Sequence, residues 1–294
     1  MMNRRDFGRL LTGLGALQGL VFAQKAQAAK PGQTAANRPA VVGDRAQATI
    51  DDLNTFMGGE LVRVGIVLYP GVYAMDVVNL VSVFQSLGGA IVHLISRDKE
   101  VVTNEPADPV SLVPLTPTET YADAPKELDV LVLPGTLPGK YGLLEDQALM
   151  AYLAEAAKHA KLVAGVGTGS LIMAAAGLLR GRKATTFWPF KPMLKQMGVN
   201  VVDKRVVVDG NRVTAAGSTA SMELGLQLVE LVRNKSQAQL VQIYLEFDPA
   251  APKGGSPEKA PADVSRFMNM MYKETLKDGM DAADRVAARL KAPK

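Results

Sequence analysis

The chain of 294 residues is 48% hydrophobic and 21% charged, a balance that supports a buried core and excludes disorder as its general state. Lys and Arg number 33 against 29 Asp and Glu, and four of those bases with one acid fall in the first 28 residues, so the remainder carries only +1 and no basic footprint for nucleic acid. Cysteine is absent, which excludes disulfides, thiolate metal sites and a cysteine nucleophile.

The N-terminus opens Asn3-Arg4-Arg5-Asp6-Phe7 and runs uncharged from Leu10 to Gln24. It ends in Lys25 and the small-x-small pattern Ala26-Gln27-Ala28. The uncharged stretch is glycine-spaced and shorter than the ~18 apolar residues a spanning helix needs. The arginine pair, weak hydrophobicity and late lysine resemble a twin-arginine export signal over residues 1–28. That implies a protein folded before export, periplasmic or otherwise outside the cytoplasm, with no stable membrane anchor after cleavage. Residues 29–60, polar and containing Ala, Gln and Pro, are expected to be a flexible linker.

From Leu61 the pattern becomes that of a folded domain, expected over residues 61–290 with a C-terminal helical tail. Val62 to Leu68 is an apolar run closed by Tyr69-Pro70-Gly71, as in strands buried on both faces. A helix is predicted from Asp76 to Leu87, stopped by Gly88-Gly89, then a strand over Ala90–Ser96. Val101 to Pro114 reads as short extended pieces. Leu128 to Leu133 is a third buried strand ending in Pro134-Gly135, and Asp146 to Ala160 a helix. Leu162 to Val166 is another buried strand, followed at once by Gly167-Thr168-Gly169-Ser170 and the helical run Leu171 to Ala176. Val206–Val208 and Arg212–Ala215 flank Asp209-Gly210-Asn211 as a hairpin. Helices are predicted over Ala220–Arg233, Ser236–Phe247 and Ala262–Leu290. Strands alternating with helices give one α/β domain with a mostly parallel sheet.

Ligands of such sheets bind beyond the carboxyl ends of the strands. The strand, tight turn and helix around Val166-Gly167-Thr168-Gly169-Ser170 fit a nucleophile elbow, whose turn residue is held strained at a helix start. From about Leu61 to Pro261 the chain resembles the ThiJ/PfpI ("DJ-one") superfamily, in particular its isonitrile hydratase-like branch. The resemblance is carried by Tyr69-Pro70-Gly71 with Met75-Asp76, by Leu131-Val132-Leu133-Pro134-Gly135, and by Gly167-Thr168-Gly169-Ser170-Leu171. It continues through Ala176–Gly181, Ala184-Thr185-Thr186-Phe187-Trp188, Thr214–Gly217 and Tyr244–Pro249. It implies a single flavodoxin-like domain, with helices on both faces of the sheet, and a homodimer.

The resemblance also implies what is missing. Family members place a cysteine where this chain has Gly167, a histidine where it has Phe187, and many place a carboxylate at the register of Ser82. The aspartate and threonine that isonitrile hydratases are thought to use beside the cysteine correspond to Asp76 and Thr168, the two candidate catalytic residues. Backbone N–H groups of Thr168, Gly169 and Ser170 are expected to point outward as a pocket for an anion or carbonyl oxygen. Gly167 relieves about 1–3 kcal/mol of turn strain. Phe187 and Trp188 would wall the pocket, and Gly135 and Gly167 would line it.

Plainer roles stand beside these. Asp76 could cap its own helix, Thr168 and Ser170 could cap theirs, and Phe187 and Trp188 could be core or dimer contacts. His93 and His159 lack metal-ligand spacing, so no metal site and no cofactor is expected. Met268, Met270 and Met271 read as adaptable packing, and Arg180-Gly181-Arg182-Lys183 as a solvated turn. The function expected is an exported protein with a degenerate elbow that binds a small molecule without cysteine-dependent catalysis. The alternative is an isonitrile hydratase-like enzyme in which Asp76 and Thr168 activate water.

Overall fold

Strand β1 (Val62–Val67) is the third of seven in the main sheet, beside its central strand, and its neighbours on the two sides follow it in sequence at different distances. The computed structural model describes residues 59–103, 113–136, 139–250, 255 and 257–292. The predicted leader, and the predicted linker except its last two residues, lie outside the described residues, as does 104–112.

The remaining elements follow in chain order. Helix α1 spans Ala74–Ser86, β2 Ala90–Ser96, β3 Glu119–Thr120 and β4 Val130–Leu133. Helix α2 spans Gln147–His159, β5 Leu162–Val166, α3 Gly169–Ala175 and β6 Lys183–Ala184. Then come α4 (Lys191–Gln196), β7 (Asn200–Val201), β8 (Val206–Asp209) and β9 (Arg212–Ala215). Helices α5 (Ala220–Val232), α6 (Lys235–Tyr244) and α7 (Ala262–Lys291) complete the described chain.

The strand order is β3-β2-β1-β4-β5-β9-β8, parallel throughout except for the antiparallel β8–β9 pair. The chain steps from β1 to β2 through α1 in one direction and from β4 to β5 through α2 in the other. With right-handed crossovers these steps place α1 and α2 on opposite faces, and the reversal between β1 and β4 makes a switch point. The sheet is the mostly parallel α/β arrangement that the apolar runs predict. All four residues of β4 are buried, which explains why that strand reads Val-Leu-Val-Leu without alternation. Asp146 caps α2, its Oδ1 accepting the Leu149 N–H at 3.0 Å. Gly210 takes a φ of +60° in the two-residue turn of the β8–β9 hairpin.

One expectation is corrected, and two features go beyond the sequence. Met270 and Met271 are 64% and 52% exposed, with Phe267 and Val264 beside them, because the buried residues of α7 all lie in its second half, between Gly279 and Ala287. The basic turn is tied down as well as solvated: Arg180 reaches the Leu290 carbonyl and Arg182 that of Asp209. The short parallel pair β6–β7, formed by two residues from each strand, had no sequence signal. Among the described residues, no helix is long and apolar enough to cross a membrane.

Candidate functional site

Four adjacent parallel strands, β1, β4, β5 and β9, end on the same edge of the sheet, and the loops leaving them enclose a cavity of about 370 Å³. After β1 the chain supplies Tyr73 and Asp76, after β4 Gly135 and Thr136, and after β5 Gly167 and Thr168. Gly217 and Ser218 enter after β9, Phe187 from the loop after β6, and Tyr272 from α7.

The elbow is held by backbone. Gly167 has a φ of +51°, the left-handed region that a residue with a side chain enters only with strain. Its N–H donates to the Ala215 carbonyl at 2.9 Å, while its own carbonyl accepts from Ser170 N–H at 3.0 Å and Thr186 Oγ1 at 2.7 Å. A Cβ placed on Gly167 would approach no closer than 3.3 Å to any neighbour, the Ala216 carbonyl oxygen. Two residues on, the packing is far tighter: a Cβ on Gly169 would lie 2.1 Å from the Leu133 carbonyl oxygen. That contact brings α3 directly onto the end of β4.

Thr168 does not cap its helix. Its hydroxyl accepts the Thr136 N–H at 2.7 Å and donates to the Thr136 carbonyl at 3.1 Å, so both of its hydrogen-bonding directions are used to pin the β4 and β5 loops together. Asp76 does not cap its helix either. Tyr73 occupies the cap position of α1 without a side-chain bond, and Asp76 lies in the first turn, pointing across the gap. Its Oδ2 accepts the Gly135 N–H at 2.7 Å, whereas Oδ1 has no hydrogen-bond partner although the residue is only 1% exposed. Burial raises its pKa to about 6, against the opposing pull of the Gly135 N–H and the nearby Ser218 hydroxyl. Behind it, the Tyr69 hydroxyl donates to the Pro134 carbonyl, and its pKa is raised well above the ordinary tyrosine value by burial and by the Asp76 charge.

The structure thus brings Asp76, Gly135, Gly167, Thr168 and Phe187 to one cavity. It places the other three candidates elsewhere. Ser170 is fully buried and its N–H is spent on the Gly167 carbonyl, so it does not point outward as expected; its Oγ is also unpaired. Gly169 is wedged against β4. Trp188 stands behind Phe187, edge-on at 6.1 Å, and contacts Tyr272 in the same way at 6.0 Å. The turn of a helix explains this: successive residues rotate by about 100°, and the outward direction at Thr168 is inward by Ser170.

Tyr73, Thr136, Gly217, Ser218 and Tyr272 also line the cavity and were not singled out from the sequence. Tyr272 could not have been, because it comes from a helix whose docking is tertiary. Its anchors are Tyr141 Oη donating to the Thr275 carbonyl at 2.6 Å and Arg289 reaching the Leu144 and Ala175 carbonyls at 3.0 and 2.8 Å. So held, the Tyr272 ring meets Phe187 at 5.8 Å and Phe190 at 5.9 Å, both edge to face. Away from the cavity, His93 bonds to Glu119 and His159 to Glu155. Among the described residues, no group of three or more His, Asp and Glu could hold a metal ion.

Comparison with known proteins gives this geometry a context. The sequence profile of the DJ-1/PfpI family matches residues 62–231. The isonitrile hydratase of Pseudomonas putida is 37% identical over 229 residues, 78% of this chain and 97% of that protein. A crystal structure of a ThiJ/PfpI family protein from Pseudomonas syringae superposes with a TM-score of 0.71 at 33% identity, covering 86% of this chain and 98% of that one. The crystal structure of Drosophila melanogaster DJ-1beta matches with a TM-score of 0.54 at 25% identity, covering 64% and 99% of the two chains.

Proposed function

The chain belongs to the DJ-1/PfpI family, and from that premise we propose that it is an exported small-molecule-binding member whose elbow has lost thiol chemistry. One observation carries the reading: the loop cavity joins a side-chain-free Gly167 to a buried Asp76 with an unpaired oxygen. A nucleophile needs a side chain at the turn, and the chain contains no cysteine anywhere. The cavity volume falls at the lower end of ordinary small-molecule sites, and its wall combines rings with a few polar groups, as such sites do. Thermal-shift screening of the full chain against small amines, amides, nitriles, isonitriles and carboxylates tests the binding. A ligand at about 100 times its Kd adds about 2.7 kcal/mol of stability. A hit whose shift disappears in Phe187→Ala supports the site; no hit in any class counts against a receptor.

Export through the twin-arginine route and assembly as a homodimer belong to the same proposal. Replacing Arg4 and Arg5 by lysine is expected to retain the protein in the cytoplasm, which cell fractionation reads directly, and light scattering of the purified chain reads the dimer. No nucleic-acid partner and no cofactor enter the reading.

A second reading, hydration of an isonitrile, is favoured by the relative's activity and by Asp76, since a carboxyl pushed up to about 6 suits a general base near neutrality. In it Asp76 takes a proton from water as the water oxygen attacks the isonitrile carbon, the electron pair freed from the C–N bond takes that proton back from Asp76 at carbon, and the N-substituted formimidic acid so formed tautomerises to the formamide. Against it stands the Thr168 hydroxyl, whose donor and acceptor sides are both bound to Thr136. Turnover of an isonitrile by the wild type that is lost in Asp76→Asn would favour this reading over pure binding.

A further inference from the structure

The charge of the ligand follows from the cavity wall. Among the described residues that line it, Asp76 is the one acid, and lysine, arginine and histidine do not occur. An anion entering the cavity would meet the Asp76 carboxylate with no counter-charge to offset the repulsion. A neutral acceptor would leave Oδ1 unpaired, a costly state for a buried charged group. What the wall lacks is a cationic hydrogen-bond donor.

Resting on the small-molecule reading above, we infer that the cavity takes a protonated amine: a small organic ammonium compound with at least one N–H and an apolar body. The ammonium N–H donates to Asp76 Oδ1 and supplies the missing counter-charge. The Gly135 N–H already holds Oδ2 at 2.7 Å, so the carboxylate is fixed in place before the ligand arrives. The rings of Phe187 and Tyr272, set edge to face at 5.8 Å, and that of Tyr73 give the ligand an aromatic corner. Ring faces attract cations, and do so more strongly where water is excluded.

The absent elbow side chain takes part in this selection. With glycine at 167 the turn contributes backbone and open space where a thiol would stand, so an amine body can approach Asp76 from that side. The other titratable groups facing Asp76 are Tyr69 at the end of β1, Tyr73 at the start of α1 and Tyr272 on α7; the loops after β4, β5 and β9 present none. Burial raises the pKa of both Tyr69 and Tyr272 and keeps their phenols neutral near neutral pH, so the charge offered to the ligand comes from Asp76. Burial raises its pKa to about 6, and an ammonium ion therefore loses its partner as pH falls below that value.

Calorimetric titration of the full chain with benzylammonium, benzyl alcohol, benzyl isonitrile and benzoate tests this. The expected result at pH 7.5 is benzylammonium binding at least tenfold more tightly than any of the others, with about a tenfold loss at pH 5. Asp76→Asn is expected to abolish that preference. Tyr272→Leu, at a half-buried position, is expected to shrink the ratio of ammonium to alcohol affinity several-fold with the carboxylate still present. Equal or tighter binding of the alcohol, isonitrile or benzoate, lost in Phe187→Ala, overturns the ammonium assignment and leaves the small-molecule reading standing. Binding of none of the four overturns both.

Discussion

Two aspartates near the ends of β4 have opposite fates. Asp129 stands at the amino end, where its carboxylate accepts the Arg63 N–H at 2.7 Å and pairs with Lys161 Nζ at 2.8 Å. Partial burial works to raise its pKa, but the Lys161 and Arg63 hydrogen bonds and charges more than offset this and hold it below the ordinary aspartate value. Asp76 lies beyond the carboxyl end, with the Gly135 N–H, the nearby Ser218 hydroxyl and no cation, and burial wins there. A carboxylate kept for the fold is given partners. One kept buried with an oxygen unpaired destabilises the folded state, and such sites are where stability has been traded for binding or chemistry.

The contrast can be broken at several places. The largest effect is expected from Gly169→Ala, since its Cβ would overlap the Leu133 and Pro134 carbonyl oxygens at 2.1 and 2.6 Å. If backbone packing rather than ion pairing builds the carboxyl end, this variant loses about 3 kcal/mol or more in urea unfolding. Near-native stability would mean that the loops, and with them the cavity, are looser than described.

Asp76→Asn is expected to stabilise the protein at pH 7.5 by up to roughly 3 kcal/mol, the worth of a rise from 3.8 to about 6. The sign follows from linkage. The folded chain holds this proton more tightly than the unfolded chain, so the associated stability is full below about pH 3.8 and is lost as pH rises through about 6. The gain in the variant should therefore fade as pH falls and vanish near pH 4. A loss of stability at both pH values would make Asp76 a structural residue like Asp129.

Gly167→Cys tests the elbow from the other side. The nearest atom to the new Cβ would be 3.3 Å away, so the cost is expected to come from the φ of +51° and to be about 1–3 kcal/mol. The thiol is expected to open into the cavity and react with iodoacetamide in the folded protein. Protection from alkylation would show that the turn does not face an accessible space. The smallest effect is expected at Asp129→Asn, about 1 kcal/mol or less because Lys161 is 69% exposed. Its sign is opposite to that at Asp76: a lowered pKa gives stability that is present at neutral pH and lost on acidification.

Much of the frame was legible in the sequence, because continuous apolar runs such as Val130–Leu133 and the Gly-Thr-Gly-Ser turn are local signals of buried strands and a strand-to-helix elbow. Helix ends agreed within a few residues, as for Gln147–His159 against the predicted 146–160. The two-residue strands β3, β6 and β7 are too short to show a period. At the site, the residues on the first turn of the elbow were legible, but which of them face the cavity depends on helical rotation and on how closely α3 meets β4. Ser170 and Gly169 therefore turned inward, while Tyr73 and Tyr272 entered through packing that no local pattern encodes. The unpaired Asp76 oxygen is a property of the folded surroundings alone.

The most direct measurement is the titration of the Asp76 carboxyl carbon by NMR on protein labelled with carbon-13 aspartate, assigned by its loss in Asp76→Asn. The account predicts a midpoint near pH 6 for Asp76, apart from the other aspartates, and a value below the ordinary range for Asp129. An Asp76 midpoint at or below about 4 would mean that its charge is satisfied within the fold, and the case for a cationic ligand would fail.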